Sequence, residues 1–584
     1  MKKAELIKRF LFPFIVCLAL FFVLRILFEY TYYTIEETNL FLLDDYWLWD
    51  KFTRPGGLAL LLSKFLIQFF AYPYIGAVII ALLLTIIYAQ VSSIFKKVTD
   101  NVYILFYLLP VLPVFLVQLN IHYHLQGSIA IIMMLAAFQV FIRIHRLHRR
   151  LLYSVLAIPI LFYLAGSVSI LFAASILFWE CLTHPKDCYW FLISVVEAVL
   201  ISWLSVFFAV VGEFRFAFLP DMYFQPLIPQ IPAMLYFTWL GILITLLMAA
   251  LAGKRKAISR KRSIIENSIQ VVIVICAFYA GINQYGDMRS QKFREINYHA
   301  RTENWERVIE LCRGKVDNFL YLMNLNIALS NKGQLADRMF QFDQKGTAGL
   351  YPNWNNDYSI AVILSDFHLA AGNIAGAQHF AFEGNVASNN ESPRMMKRLV
   401  QTYLIYGNYP IAERYLNRMS KSMTYESWAE AHRKFLYNDA AVEKDSFLGL
   451  KRKMIIENNF LYNTKNIEFV FSEIARHDPA GKPAMEYLFA IYLLNKDLQK
   501  VEYFLQQSYG TSILPVLPVS LQEAVLILYE PEPEKWNTYK INQKIIDRFT
   551  SYKKDFIAAR NNPSLRSSIE RKYGDTYWYY YMFK

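Results

Sequence analysis

YIGAVIIALLLTIIYAQVSSIF, residues 74–95, decides what kind of protein this is. These 22 residues carry no charged side chain. Wound as a helix at about 1.5 Å per residue, they reach roughly 33 Å, enough to cross the ~30 Å hydrocarbon core of a bilayer. Outward from this run, further apolar stretches lie near 10–30, 102–119, 125–143, 151–165, 168–183, 189–211, 234–252 and 264–282, so about nine spans are expected. Only Gly166 and Ser167 separate the fifth from the sixth, which read either as a tight hairpin or as one broken helix. Such runs explain why 55% of the chain is hydrophobic and 16% aromatic. A chain of 584 residues is too long for one core, so two or more domains are expected.

The net charge of +13 would suit nucleic acid if the basic residues formed one patch. They fall instead in short clusters between apolar runs, as in cytoplasmic loops of membrane proteins, and nucleic acid is excluded as a partner. With the N-terminus inside, seventeen basic residues lie on inner segments: Lys2, Lys3, Lys8 and Arg9; Lys96 and Lys97; Arg143, Arg146, Arg149 and Arg150; Lys186; and Lys254, Arg255, Lys256, Arg260, Lys261 and Arg262. The outer loops hold about four, Lys51, Arg54, Lys64 and Arg215. An odd number of spans then puts everything after residue 283 outside, in a bacterial periplasm or its equivalent. The expected setting is a multi-pass protein of a bacterial inner membrane. The N-terminal run has no small-residue cleavage site and reads as a retained first span. Cys17, Cys181, Cys188, Cys276 and Cys312 give neither a disulfide framework in the second half nor a CxxC metal spacing.

From about residue 290 the period changes to that of amphipathic helices. NIALSNKGQLADRMFQF, DFHLAAGNIAGAQHFAF, TYLIYGNYPIAERYLNRM and AIYLLNKDLQKVEYFL share a helix–turn–helix logic, with turns at Gly333, Gly372, Gly407 and Lys496. Small Ala336, Ala377 and Ala412 follow the turns, where paired helices approach closely. These stretches resemble tetratricopeptide repeats. The expected organisation is all-α: a transmembrane helix bundle over 1–283, a soluble tetratricopeptide-like α-solenoid over 284–510, and a helical cap over 511–584 ending in the aromatic GDTYWYYYMF.

Two outer loops, 31–73 and 212–233, are candidates for chemistry. The first contains LLDDYWLWDKFTRPGG, residues 42–57. Asp44 or Asp45 could act as a general base on an acceptor hydroxyl or bind a cation that neutralises a phosphate. After them Thr53 can cap a helix, Pro55 suits its first turn, and Gly56 and Gly57 leave first-turn N–H groups open to an anion beside Arg54. The helix that follows, 58–72, is expected to lie flat in the interface. The ordinary reading of the same residues is a solvated loop leading into a plain turn. His122 and His124 lie on a hairpin too short to supply a metal site, and no metal is expected. Arg25 and Glu197 lie within spans and are expected to face the bundle interior.

One span, an acidic outer loop with an interfacial helix, more spans and a second ordered loop resemble the GT-C class of integral-membrane glycosyltransferases. The resemblance implies a polyprenyl-phosphate sugar donor, Asp44 or Asp45 as base in the stretch DDYWLWD, and Arg54, Gly56, Gly57 and Arg215 as substrate contacts. The acid pair lies late in its loop, and Glu36-Glu37 competes for the role. Over most of its length the chain also resembles an uncharacterised family of Bacteroides-type membrane proteins with this layout, which implies no activity. The leading expectation is therefore transfer of a sugar from a lipid phosphate to an acceptor on the outer face; no cofactor is named by the sequence. The alternative is a non-catalytic scaffold whose repeats hold a protein or peptide partner in envelope assembly.

Overall fold

The computed structural model describes residues 3–99, 103–226, 230–253, 260–316, 318–455, 467–477, 482–560 and 566–584. Among them the secondary structure is helical, apart from two isolated β-bridges, Tyr123–Phe224 and Tyr509–Leu514. The chain divides into two compact units, one of Met1–Lys292 with Lys421–Thr424, the other of Phe293–Ser420 with Tyr425–Lys584.

Among the described residues of the first unit five helices are long and apolar enough to cross a membrane: Ile75–Phe95, Leu147–Ala165, Cys188–Phe207, Met234–Gly253 and Lys261–Tyr285. A sixth candidate is the bent pair Leu11–Leu27 and Glu29–Glu36, whose axes meet at 77°. The expected nine spans are thus corrected to five, or six with the bent pair. The stretches 102–119, 125–143 and 168–183 form shorter apolar helices, Ile104–Gln118, Gln126–Phe141 and Val168–Thr183. Sixteen residues of helix reach only about 24 Å, short of the hydrocarbon core. Pro110 further divides the first of these into Ile104–Leu108 and Val111–Gln118. Gly166 (φ +90°) separates Leu147–Ala165 from Val168–Thr183, which are two helices packed side by side.

The faces of these helices carry the membrane signature. Leu192–Phe207 buries Ser194, Ala198, Ser202 and Ser205, while Ile193, Val196, Leu200, Trp203 and Phe207 are exposed. Lys261–Tyr285 likewise exposes Ile265, Ile269, Val272 and Ile275. Small and weakly polar residues inside with large apolar ones outside is packing suited to lipid, and such patches would be a liability in water. Of the basic residues used to orient the chain, Lys2, Lys254, Arg255 and Lys256 lie outside the described residues. Arg150 is buried rather than part of a surface cluster.

The second unit contains the helical hairpins that the turns announce. Tyr358–Ala370 packs on Ile374–Ala387, that helix on Pro393–Ile405, and the latter on Tyr409–Met419. The turn residues Gly333, Gly372, Gly407 and Lys496 all have positive φ, +65°, +87°, +72° and +58°. The next residue often caps the following helix: the Asn373 side chain accepts from Gly376 N–H at 2.9 Å, and that of Asp497 from Lys500 N–H at 3.1 Å. Ala336, Ala377 and Ala412 are buried. A stack of equivalent repeats contacts only its neighbours. Here the unit closes on itself: Phe340 of the first hairpin packs on Tyr577 and Tyr580, with ring centroids 4.9 and 5.1 Å apart, and Lys584 pairs with Asp343 at 2.8 Å. Residues 511–584 share an apolar core with the first and last of these hairpins, so the unit has contacts beyond those between neighbouring hairpins.

Candidate outer-loop site

The acidic stretch of the first loop is a helix, Asp45–Phe52. Asp44 is its N-cap and accepts from Trp47 N–H at 3.0 Å. The other Asp44 oxygen forms an ion pair with Lys421, whose carbonyl also accepts the Leu43 N–H at 2.7 Å. Asp45 is exposed in the first turn, with Tyr46 and Trp49 also turned outward. Arg54 reaches back to Asp50 with contacts of 2.9 and 3.0 Å and holds that carboxyl below its usual range.

The next helix starts at Gly57, later than Thr53 and Pro55 suggest, with Gly56 as its left-handed N-cap. The donors of the two glycines, expected to meet an anion, are already engaged. Gly56 N–H donates to Tyr163 O at 2.9 Å and Gly57 N–H to Arg54 O at 2.8 Å. Gly56 O accepts from Gln126 Nε2 at 3.1 Å. A Cβ on Gly56 would stand 2.7 Å from Gln126 Nε2 and 3.0 Å from Met222 Cε, so glycine is required for close approach as well as for its φ of +76°. Along helix Gly57–Ile67 and the short turn after it, Ser63, Lys64 and Gln68 are on the buried side.

The two candidate loops do meet. Met222 of the second loop lies against both Gly56 and Gly166. Tyr223 OH donates to Ala165 O at 2.7 Å and accepts from Val168 N–H at 3.1 Å, and Ser167 Oγ donates to Leu219 O at 2.9 Å. The hairpin with His122 and His124 joins the second loop: His124 N–H donates to Tyr223 O, and Gln225 N–H to His122 O, both at 2.9 Å, and the His122 ring lies 6.3 Å from that of Phe224. Arg215 of this loop pairs with Glu213 at 2.7 Å and stacks on Phe216. Residues 227–229 of the loop lie outside the described residues. Arg25 is paired with Glu29 and lies over the Tyr74 ring; Glu197 is half-buried, and its Oε2 has no hydrogen-bond partner among the described residues.

Two polar clusters escaped the sequence reading. Arg150 Nη1 donates to fully buried Glu180 at 2.7 Å, with His184 at 3.2 Å from the same carboxyl group. In the helical unit Asp366 accepts from Arg394 and Arg398, each at 2.9 Å, and burial, aided by Arg398, pushes nearby Lys451 down to about 8. Spacing of i,i+4 could have suggested Glu180–His184; nothing local points to the longer pairings. Among the described residues no three His, Cys, Asp or Glu group as metal ligands do.

An all-α chain with several helices of membrane-crossing length and a closed helical unit defines the class. Within it the chain belongs to the family of unknown function DUF6057, whose profile matches residues 5–584. No curated protein and no solved structure matches it.

Proposed function

We propose that this protein is a membrane-anchored scaffold whose helical unit, built on tetratricopeptide-like hairpins, holds a protein or peptide partner in envelope assembly. One observation carries the reading: of the groups a lipid-phosphate transferase would need, all but the exposed Asp45 are engaged in the protein's own structure. Asp44 is a helix cap paired with Lys421, Arg54 is held by Asp50, Arg215 by Glu213, and the N–H groups of Gly56 and Gly57 go to carbonyls. A general base must be free to take a proton from its acceptor, and a phosphate needs donors that have no other partner. The proposed setting is a bacterial inner membrane, with the N-terminus inside and the helical unit on the outer face. A cysteine in place of exposed Thr302 (Thr302→Cys), in a background without Cys181 and Cys276, should then react with an impermeant maleimide in spheroplasts. Protection there would reverse the orientation.

Transfer of a sugar from polyprenyl phosphate stays as a second reading because the two outer loops meet at Gly56 and Met222. Native mass spectrometry of protein extracted from its own membrane separates the two. The scaffold reading expects no polyprenyl phosphate on the wild type and the same spectrum for Asp44→Asn/Asp45→Asn and Arg54→Ala/Arg215→Ala. A lipid phosphate held by the wild type and lost with the arginines would replace the scaffold by the transferase.

A further inference from the structure

The helical unit holds a cavity of about 410 Å³, within the size range of small-molecule sites. Two stretches distant in sequence wall it, Gly314–Lys315 with Phe340–Gln344 on one side and residues between Arg548 and Lys584 on the other. Five cations line it against three carboxylates. Two of those carboxylates are already matched, Asp343 by Lys584 at 2.8 Å and Asp575 by Arg548 at 2.5 Å. Lys572 turns to Asp555, at 3.0 Å. Lys315 and Arg571 have no carboxylate partner among the described residues, and both are exposed. Glu570 is the remaining acid, so the lining keeps an excess of positive charge.

Unpaired cations are ordinary on a convex surface. In a concave site with low-dielectric walls their fields add and draw an anion inward. The walls here are firm: Phe340 and Tyr580 are buried, and Tyr580 OH is anchored on Leu494 O at 2.9 Å. Arginine adds a planar fork of donors suited to an oxyanion. The geometry points to a binding site for a small ligand bearing carboxylate or phosphate groups, with Lys315 and Arg571 as its charged contacts and Phe340 and Tyr580 as an apolar wall. The site goes beyond the scaffold reading and does not depend on it.

Titration calorimetry on the full chain in detergent tests this, with inorganic phosphate and citrate as separate probes. At least one probe should bind with a Kd below about 1 mM, and Lys315→Gln or Arg571→Gln should each weaken it about tenfold. The double variant should abolish binding. Both residues are exposed and have no carboxylate partner among the described residues, so an unchanged melting curve will certify each variant as folded. Lys544→Gln, an exposed lysine that does not line the cavity, should leave binding unchanged. Binding of phosphate alone would identify the group as phosphate, and of citrate alone as carboxylate. The site is overturned if neither probe binds, if the double variant binds as wild type, or if Lys544→Gln weakens binding as much as the cavity variants do.

Discussion

Arg150 and Glu180 form the best-buried ion pair among the described residues of the membrane-type unit, with side chains 8% and 0% exposed. Removing one partner of such a pair leaves a charge without compensation, whereas replacing both by apolar groups removes the desolvation penalty as well. Glu180→Leu should therefore destabilise this unit by roughly 3–5 kcal/mol, and Arg150→Met added to it should restore most of the loss. Melting in detergent checks this; a double variant no better than the single would contradict it. Two acids in the helical unit make its stability depend on pH. Burial pushes Glu486 up to about 7, against an opposing pull from Lys482, and Glu523 up to about 8 although it accepts the Tyr577 N–H. Both remain protonated in the folded unit where the unfolded chain, near its value of 4.5, has already ionised. The stability they contribute is full below about pH 4.5 and is lost as pH rises through 7 to 8. Glu523→Gln should reduce the loss between pH 5 and pH 8 by roughly 2–4 kcal/mol in denaturant titrations, and an unaltered pH profile would contradict this. Of these partners only Lys482, four residues before Glu486, is legible from sequence spacing. A buried carboxylate looks like any other until the fold brings its neighbour.

Turns are the elements that the chain announces most clearly, because left-handed backbone favours glycine for steric reasons. The four turn residues read from sequence all have positive φ. Their tolerance should nonetheless differ. At Gly333 a Cβ would meet nothing within 4 Å, while at Gly372 it would stand 2.9 Å from Met454 Sδ. Gly333→Ala should cost about 1–2 kcal/mol, from backbone strain alone, and Gly372→Ala clearly more. Equal losses in thermal melts would contradict the close approach at Gly372. Helix lengths were less legible. Hydropathy counts apolar residues but does not weigh a break, so Pro110 and the ends at Gln126 and Thr183 turned three expected spans into shorter helices. The acidic stretch read as a loop because Asp44 looked like a reactive group, yet a carboxylate just before DYWLWDKF is also an ordinary N-cap signal.

At the scale of the whole chain, composition and apolar runs were enough to indicate an all-α membrane-type protein, since crossing lipid leaves little other choice. The closure of the helical unit was not legible. The aromatic end at 577–580 carries no mark that it packs on Phe340. The same holds for the first candidate loop, where Asp44 finds Lys421 at a separation of 377 residues. That tie bears most directly on function, because a carboxylate that holds the fold together should stabilise it, whereas one kept for chemistry commonly does so at the expense of stability. The decisive measurement is a thermal double-mutant cycle on Asp44→Ala and Lys421→Ala in the full chain in detergent. The scaffold account expects Asp44→Ala to lower stability by about 1–2 kcal/mol from loss of the cap and the ion pair, with the double variant falling short of the sum of the two singles. A protein that becomes more stable without Asp44, with no coupling to Lys421, would contradict the account and return that carboxylate to the list of catalytic candidates.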